Sequence, residues 1–471
     1  MKKRIPFDTK VQYTKYKILR EVAKYSFAGT LTENLMNIPK TISPGPKAEM
    51  RCCVYKERAI VGEQVALAVS GVSKGENVIS VVSIACDECP AEGYIVNHDC
   101  RGCLAHRCKN ACRRNAISFD ENLRAVIDKT KCVNCGLCAQ ACPFNAIVNR
   151  KRPCMAACKC NAITTADDMS AKIIDEKCIT CGACVYQCPF GAITDRSSIV
   201  QIIEQLKNAD KHVYAILAPA FAVQFDNAKV GQVITGLKQL GFYQVFEAAL
   251  GADMVALSEA QELAQKGQLT SSCCPAFVRF IKTNYPSLVE KISHNPSPMV
   301  ALSRYIKSID DKACTVFIGP CTAKKREALE SDGATDFVMT FEELQAVFSG
   351  KGIDITELEE TTIDNASYFG RIFGRIGGLS EAAVQALNEQ NIQFDVKPEI
   401  CDGIENIKRA LARMKKGDNT FNFLEGMICL GGCIGGPCNL THEIKDKMDI
   451  DKFGRTSTQG GIVDSAQKTQ Q

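Results

Sequence analysis

Four stretches of this chain end alike. "CKNACRRNAI", "CAQACPFNAI", "CMAACKCNAI" and "CVYQCPFGAI" each hold a C-x3-C pair, with Asn-Ala-Ile or Gly-Ala-Ile starting three residues beyond the second cysteine. Those second cysteines are Cys112, Cys142, Cys158 and Cys188, separated by 30, 16 and 30 residues, so the stretches read as two pairs with a short join. Seventeen of the 27 cysteines lie between Cys86 and Cys188, and none between Cys188 and Cys273. "MKKRIPFDTK" is basic but lacks the apolar stretch of a signal peptide, and no apolar run reaches transmembrane length, so the expected location is cytoplasmic, with no membrane association. In a reducing compartment so many thiols point to metal ligation rather than disulfides. With only five histidines beside them, the sites must be thiolate-rich, which suits iron–sulfur clusters or zinc.

The second and fourth stretches belong to "CVNCGLCAQACP" and "CITCGACVYQCP", the full C-x2-C-x2-C-x3-C-P run. This is the pattern of bacterial 4Fe–4S ferredoxins, in which three cysteines wrap one cubane and the fourth reaches its neighbour. A zinc site needs neither the third close cysteine nor the proline. The first stretch, "CRGCLAHRCKNAC", has x4 in place of x2, and the third keeps only Cys154 and Cys158, with an extra Cys160. Twelve ligands are expected: Cys100, Cys103, Cys108, Cys112, Cys132, Cys135, Cys138, Cys142, Cys178, Cys181, Cys184 and Cys188.

Two pairings are open. Cys100, Cys103, Cys108 and Cys142 form one site and Cys132, Cys135, Cys138 and Cys112 another; or the second and fourth stretches pair across the third, leaving Cys100, Cys103, Cys108 and Cys112 as a site of their own. Cys86, Cys89, Cys154, Cys158 and Cys160 remain for a fourth cluster, so three to four accessory clusters are expected. His98 and His106 read as surface or hydrogen-bonding residues, and the adjacent Cys52 and Cys53 as structural or incidental.

Four regions follow from these patterns. Residues 1–85 have no legible role; "RAIVGEQVALAVSGVSKGENVISVVSIA" alternates like short strands. Residues 86–198 form the α+β ferredoxin-like cluster region, and 199–456 an α/β domain in which "HVYAILAPAF" and "YQVFEAAL" read as strands and "AKVGQVITGLKQLGF" and "DMVALSEAQELAQKG" as helices. The polar 457–471 reads as a disordered tail. The formal net charge of +4 looks small and spread out, which gives no reason to expect nucleic acid as a partner.

Cysteine is scarce in the α/β domain, so three stretches stand out: "TSSCCPAF", "IGPCTAKKREALE" and "LEGMICLGGCIGGPCNL". Each lies where a strand or helix gives way to a loop, and their thiolates could together hold one cubane. The third stretch is rich in glycine, as though something bulky lay against its backbone. Cys314 and Cys401, outside these stretches, read as small buried apolar residues.

Together the three stretches closely resemble the signature motifs of the iron-iron (FeFe) hydrogenases: [ST]-S-C-C-P at 271–275, P-C-x-x-K-K-x-E at 320–327 and E-x-M-x-C-x-x-x-C at 425–433. The resemblance implies an oxidoreductase that reversibly interconverts protons, electrons and H2, its H-cluster held between two lobes of the α/β domain. Cys274, Cys321, Cys429 and Cys433 would ligate a 4Fe–4S cubane. Cys433 would also bridge to a two-iron subsite carrying CO, cyanide and a bridging azadithiolate. Lys324 would hydrogen-bond a cyanide and Met427 would pack on the subsite. Protons would pass through Cys273, Glu259, Ser293 and Glu262; the two glutamates are three residues apart and share one helix face. The resemblance also implies anaerobic chemistry, a ferredoxin or similar soluble electron carrier, and maturation proteins that supply the subsite. A non-catalytic iron–sulfur scaffold and a redox or H2 sensor of the same fold are the alternatives. Gly319-Pro320 and the Gly-Gly-Pro-Cys at 435–438 depart from the family's usual motifs and suggest a subgroup; Cys438 has no expected role.

Overall fold

The structure, a computed structural model, describes residues 7–90, 92–225, 228–442 and 446–467. Among them, no helix is long and apolar enough to cross a membrane.

Residues 58–69 are helical where alternation suggested strands. Helix α1 (Lys10–Ala28) is capped by the Thr9 side chain, which accepts from the Gln12 amide, and ends at Gly29 in the left-handed region. Helix α2 (Val54–Val69) takes up the first twelve residues of the stretch read as strands. Its buried residues Ile60, Val61, Val65 and Ala68 follow a helical spacing, and the intervening Ala, Glu and Gln favour helix. The one strand here, Ile79–Val81, pairs antiparallel with Ile193–Asp195. The cluster region therefore starts near 79, before the expected boundary at 86.

That region is two modules, one inserted in the other. The first is closed by Gly93–Val96 on Ile147–Arg150 and contains the hairpin Ile117–Phe119/Ala125–Ile127. The second is closed by Ile79–Val81 on Ile193–Asp195 and contains Ile163–Thr165/Ala171–Ile173. The repeated Asn/Gly-Ala-Ile now has a physical basis. Asn115, Asn145, Asn161 and Gly191 all adopt positive φ, which asparagine and glycine tolerate best. The turn aims the next amide at sulfur: the N–H groups of Ala116, Ala162 and Ala192 donate to the Sγ of Cys112, Cys158 and Cys188, each at 3.3 Å.

The C-terminal domain holds two parallel sheets. Its strands are β1 (His212–Leu217), β2 (Gln244–Glu247), β3 (Leu269–Thr270), β4 (Ala313–Gly319), β5 (Phe337–Thr340), β6 (Pro398–Asp402) and β7 (Phe423–Met427). One sheet runs β2-β1-β4-β5 and the other β3-β7-β6. Helix α3 (Ala248–Lys266) follows β2, and its Leu263, Ala256 and Ala260 are buried. The expected strands and helices of this domain are present. The tail differs: Ile462–Gln467 is a helix with Ile462 and Ala466 buried, and Ser465 donates to Asp253 on α3. Three small or apolar residues suffice to dock this otherwise polar segment; 468–471 lie outside the described residues.

A buried ion network joins the three regions. Lys15 of α1 bonds Asp195 at 2.5 Å and Glu342 at 2.7 Å, and Lys325 bonds Asp195 and Glu343, both at 2.7 Å. Despite full desolvation, the Asp195 carboxyl is held well below the usual carboxylate range by Lys15 and Lys325. Cys438 is wholly buried beside this network, where burial pushes its thiol up. Replacing one member of a buried pair leaves an uncompensated charge. Lys15→Met should therefore cost about 3–5 kcal/mol, read as a lower midpoint in anaerobic denaturant unfolding; an unchanged midpoint would show that the network does not bind α1 to the rest.

Candidate metal centres

The thiols of the cluster region gather into four sets. Cys100, Cys103, Cys108 and Cys142 line one small cavity; Cys112, Cys132, Cys135 and Cys138 line a second. The first of the two sequence pairings is thus the one the fold adopts, and Cys112 does not close a site with Cys100, Cys103 and Cys108. In the other module, Cys86, Cys89, Cys154 and Cys188 face one another: besides burial, Cys188 lies close enough to Cys86, Cys89 and Cys154 for its charge to push those three thiols up. Cys158 lines a separate cavity with Cys160, Cys178, Cys181 and Cys184. This corrects the expected grouping: Cys158 and Cys160 leave the set of Cys86, Cys89 and Cys154, and Cys188 joins it. Crossing of the last cysteine to the neighbouring site is inherent in the repeat. It was hidden because Cys86 and Cys89 precede the whole inserted module.

Spacing between the sulfurs speaks to the kind of metal. Four thiolates on one zinc at about 2.3 Å would lie under about 4 Å apart. Among the described residues, the only three metal-capable side chains within 4.8 Å of one another are Asp195, Glu342 and Cys438, whose carboxylates already bind Lys15 and Lys325. No cysteine set is tight enough for a single ion, whereas a multi-iron cube spreads its ligands over its corners.

A fifth thiol group lies between the two sheets of the C-terminal domain. The polypeptide leaves β1 into Ala218-Pro219, β3 into Cys273-Cys274, β4 into Pro320-Cys321 and β7 into Ile428-Cys429, so four loops meet at the carboxyl ends of parallel strands. They enclose a cavity of about 100 Å³ lined by Cys273, Cys274, Cys321, Cys429, Cys433, Lys324 and Met427. Cys274 and Cys321 each sit at the N-cap of a helix, Pro275–Asn284 and Thr322–Glu330, where the helix dipole favours a thiolate. Without metal, burial pushes the Cys321 thiol up to about 12 and that of Cys433 to about 11. A cationic cluster core would reverse this and deprotonate them.

The glycines of the third motif serve the protein as well as the cavity. A side chain on Gly432 would strike the Met427 sulfur and the Ile376 amide, each 2.8 Å from its Cβ, and one on Gly436 would strike Pro320. Removing Cβ atoms lets the second and third motif loops touch, so the bulk against the backbone is largely protein. Gly182, beside Cys181, likewise fits only because it lacks a side chain against Pro437 and Thr322, while the Thr322 hydroxyl donates to Thr180 O at 2.6 Å. The Cys181 site therefore abuts the five-cysteine cavity. Glu425 is wholly buried and accepts from Gly377 N, Ser380 N and Ser380 Oγ, which fixes the loop ahead of the helix Gly378–Glu389.

Lys324 donates to Cys273 O at 3.2 Å and pairs with Glu327 at 2.6 Å. Behind Cys273, Glu259 is 2 % exposed with its Oε1 unpartnered, and burial raises its pKa to about 8 against the pull of Ser293 and the Ser272 amide. The Ser293 hydroxyl donates to Glu262 at 3.0 Å, and Glu262 also binds Lys266 at 2.7 Å and lies 2.9 Å from His294 Nδ1 at the surface. Glu262 is thus built into a network rather than left on a solvated helix face. Sequence spacing missed His294 and Asn295, which donates to Glu262 at 2.8 Å, because only the fold brings the 293–295 loop to α3; Lys266, four residues after Glu262 on the same helix, was within reach of helix periodicity.

Two measurements check these assignments. Cys158→Ser should remove one cluster, lowering iron by about four atoms per chain, while Cys160→Ser keeps it; the reverse result would make Cys160 the ligand. Because the folded-state pKa of Glu259 lies above its usual 4.5, its contribution to stability is complete below about 4.5 and lost as pH rises to about 8. The melting temperature of Glu259→Gln should therefore gain on the parent protein between pH 5 and pH 8.

The comparisons agree with this geometry. Residues 211–437 match the family model "Iron only hydrogenase large subunit, C-terminal domain", and 125–148 and 171–194 match "4Fe-4S binding domain". Iron hydrogenase 1 of Clostridium pasteurianum is 31% identical over 394 residues, covering 71% of this chain and 68% of that protein. The large subunit of the periplasmic Fe hydrogenase of Nitratidesulfovibrio vulgaris is 28% identical over 370 residues, covering 66% and 85%. The cytosolic iron-sulfur assembly component 3 of Mus musculus is 22% identical over 260 residues, covering 42% and 54%. With its three motifs on one cavity and its 4Fe–4S modules in place, the chain belongs to the iron-only hydrogenase family.

Proposed function

We propose that this protein is a hydrogenase that interconverts protons and electrons with H2. The observation that carries the reading is the company of the four cysteines Cys274, Cys321, Cys429 and Cys433: Cys273, Lys324 and Met427 line the same cavity, and none is needed to hold a cubane. The donor set fits an H-cluster: Cys274, Cys321, Cys429 and Cys433 would hold its cubane, with Cys433 beside the two-iron subsite that maturation proteins would deliver. When bound, that subsite supplies the chemistry that makes and breaks the H–H bond.

The chain's own residues do the rest. Lys324, neutralised on one side by Glu327, presents an ammonium to a site of excess negative charge. Met427, 3 % exposed, and Phe373 close the cavity against water. Cys273 holds a proton at Sγ, since burial keeps its thiol protonated, and exchanges it with the Glu259 carboxyl. Ser293 Oγ relays it to Glu262, which is open to solvent at its far side. The four cysteine sets of the cluster region would hold 4Fe–4S clusters, which would supply the electron path to a soluble one-electron carrier of the ferredoxin type.

An iron–sulfur scaffold is the second reading, favoured by the similarity to the assembly component and set against Cys273, Lys324 and Met427. Infrared spectra of anaerobically matured protein should show CO and cyanide bands, and reduced methyl viologen should drive H2 evolution; absence of the bands would leave the scaffold. Cys273→Ala should keep the bands and lose at least about 100-fold in turnover, and full activity in that variant would refute the proton route.

A further inference from the structure

A guanidinium is costly to bury without a carboxylate beside it. Among the described residues the buried lysines and arginines are Arg152, Lys324, Lys325, Arg371 and Arg375. Four of them meet carboxylates: Lys324 pairs with Glu327, Lys325 with Asp195 and Glu343, Arg371 with Glu247 and Asp364, and Arg375 with Glu381 and Asp451. Arg152, 1 % exposed, meets none. It donates from Nη2 to Met169 O at 2.6 Å, while its Nε and Nη1 have no partner. Arg51, with its side chain 5 % exposed, is similar. Its Nη2 donates to Ala85 O at 3.2 Å and Phe190 O at 3.1 Å. Its Nη1 has no hydrogen-bond partner and lies 3.8 Å from Asp87, a partly exposed carboxylate already bound to Lys56.

Both arginines converge on one cysteine set. Arg152 stands two residues ahead of Cys154, Ala85 immediately precedes Cys86, and Phe190 follows Cys188 by two. Burial raises the thiols of Cys86 and Cys89; the charge of Arg152 opposes this at both, and that of Arg51 at Cys89. The carboxylate acting the other way at Cys86 is Asp168, which is exposed and bonded to Ser170. At the first module's sites the arginines are Arg101, Arg107 and Arg114, all exposed, where water and salt screen them. Unpaired guanidinium N–H groups in a dry site call for negative charge, and four thiolates on a cubane supply it.

We propose that Arg51 and Arg152 make the cluster of Cys86, Cys89, Cys154 and Cys188 the most easily reduced of the four, and so the electron store of the chain. The inference rests on the reading of the cysteine sets as 4Fe–4S clusters in the electron path of a hydrogenase. Reduction of a cubane adds one electron, given up by the carrier, and moves no proton or ligand. The added negative charge is favoured by buried cations, and net charge and hydrogen bonds to sulfur are what set such potentials. The place suits a store. Cys154 lies near Cys184 of the set that abuts the five-cysteine cavity, so a held electron is one cluster away from that neighbour. Making H2 takes two electrons, and the carrier brings one at a time.

Anaerobic reductive titration of the full iron-loaded chain, followed by electron paramagnetic resonance, reads the midpoint potentials. In the parent protein one signal should appear before the others, and Cys154→Ala should remove it. In Arg51→Gln/Arg152→Gln the electron affinity of that cluster should fall at least about 10-fold, a drop of about 59 mV for a one-electron couple, with iron content and circular dichroism unchanged. Arg51→Lys/Arg152→Lys should keep most of the potential, and Arg101→Gln should leave it where it is. An unchanged midpoint in the double glutamine variant, an equal drop in the lysine variant, or survival of the first signal in Cys154→Ala would each overturn the proposal. Should the double variant lose its cluster, Arg51→Gln alone must show a smaller drop of the same sign. Failure of the cluster reading shows separately, as iron content that Cys154→Ala does not lower. Failure of the hydrogenase reading shows as missing CO and cyanide bands with the potentials intact.

Discussion

The structure turns on one buried charge network. Asp195 leaves the closing strand of the second cluster module, enters the C-terminal domain, and is met there by Lys325 from the second motif's helix and Lys15 from α1. Each of these groups is desolvated and would be unstable without the others. The network thereby fixes a cluster module, an N-terminal helix and a metal-site loop in one arrangement. Cys438, the residue of the third motif with no expected ligand role, packs against this network rather than into the five-cysteine cavity. Its place beside Asp195 and Glu342 makes it part of the joint between the domains.

That joint matters because electron transfer between clusters requires close approach. Gly182, Thr322 and Pro437 meet where the Cys181 site abuts the cavity of Cys429, and any Cβ at Gly182 would separate them. The same economy recurs at Gly432, which packs against Ile376 and Met427, and at Gly436, which brings the third motif's loop onto Pro320 of the second. Catalytic-site precision, in this reading, comes from backbone contact at glycines and from the buried ions behind them. It owes little to the cysteines, which would tolerate many arrangements in the absence of metal.

The proposed proton route follows a different logic. Glu259 and Glu262 share a helix face, yet burial separates their chemistry: one is desolvated with its pKa near 8, the other ion-paired at the surface and held low against its partial burial by Lys266 and the His294 amide. Two identical side chains three residues apart thus sit on either side of Ser293, one neutral at pH 7 and one charged. A relay needs such an asymmetry, and helix periodicity alone supplies only the shared face.

What the sequence by itself determined was the local chemistry. Ligand spacing, the Asn/Gly-Ala-Ile turn and the three motifs are short-range patterns, and each is fixed by backbone geometry within a few residues. The alternating strands and helices of the C-terminal domain were legible for the same reason. Tertiary structure decided what depends on distant segments. It assigned Cys188 to the site of Cys86, Cys89 and Cys154, because those first two cysteines precede an inserted module. It made residues 54–69 a helix, where burial of Ile60, Val61 and Val65 against the core outweighed an alternating pattern. It docked Ile462 in a tail that looked too polar to fold. Side-chain pattern reports the neighbours along the chain; only the closed fold says which neighbours meet across it.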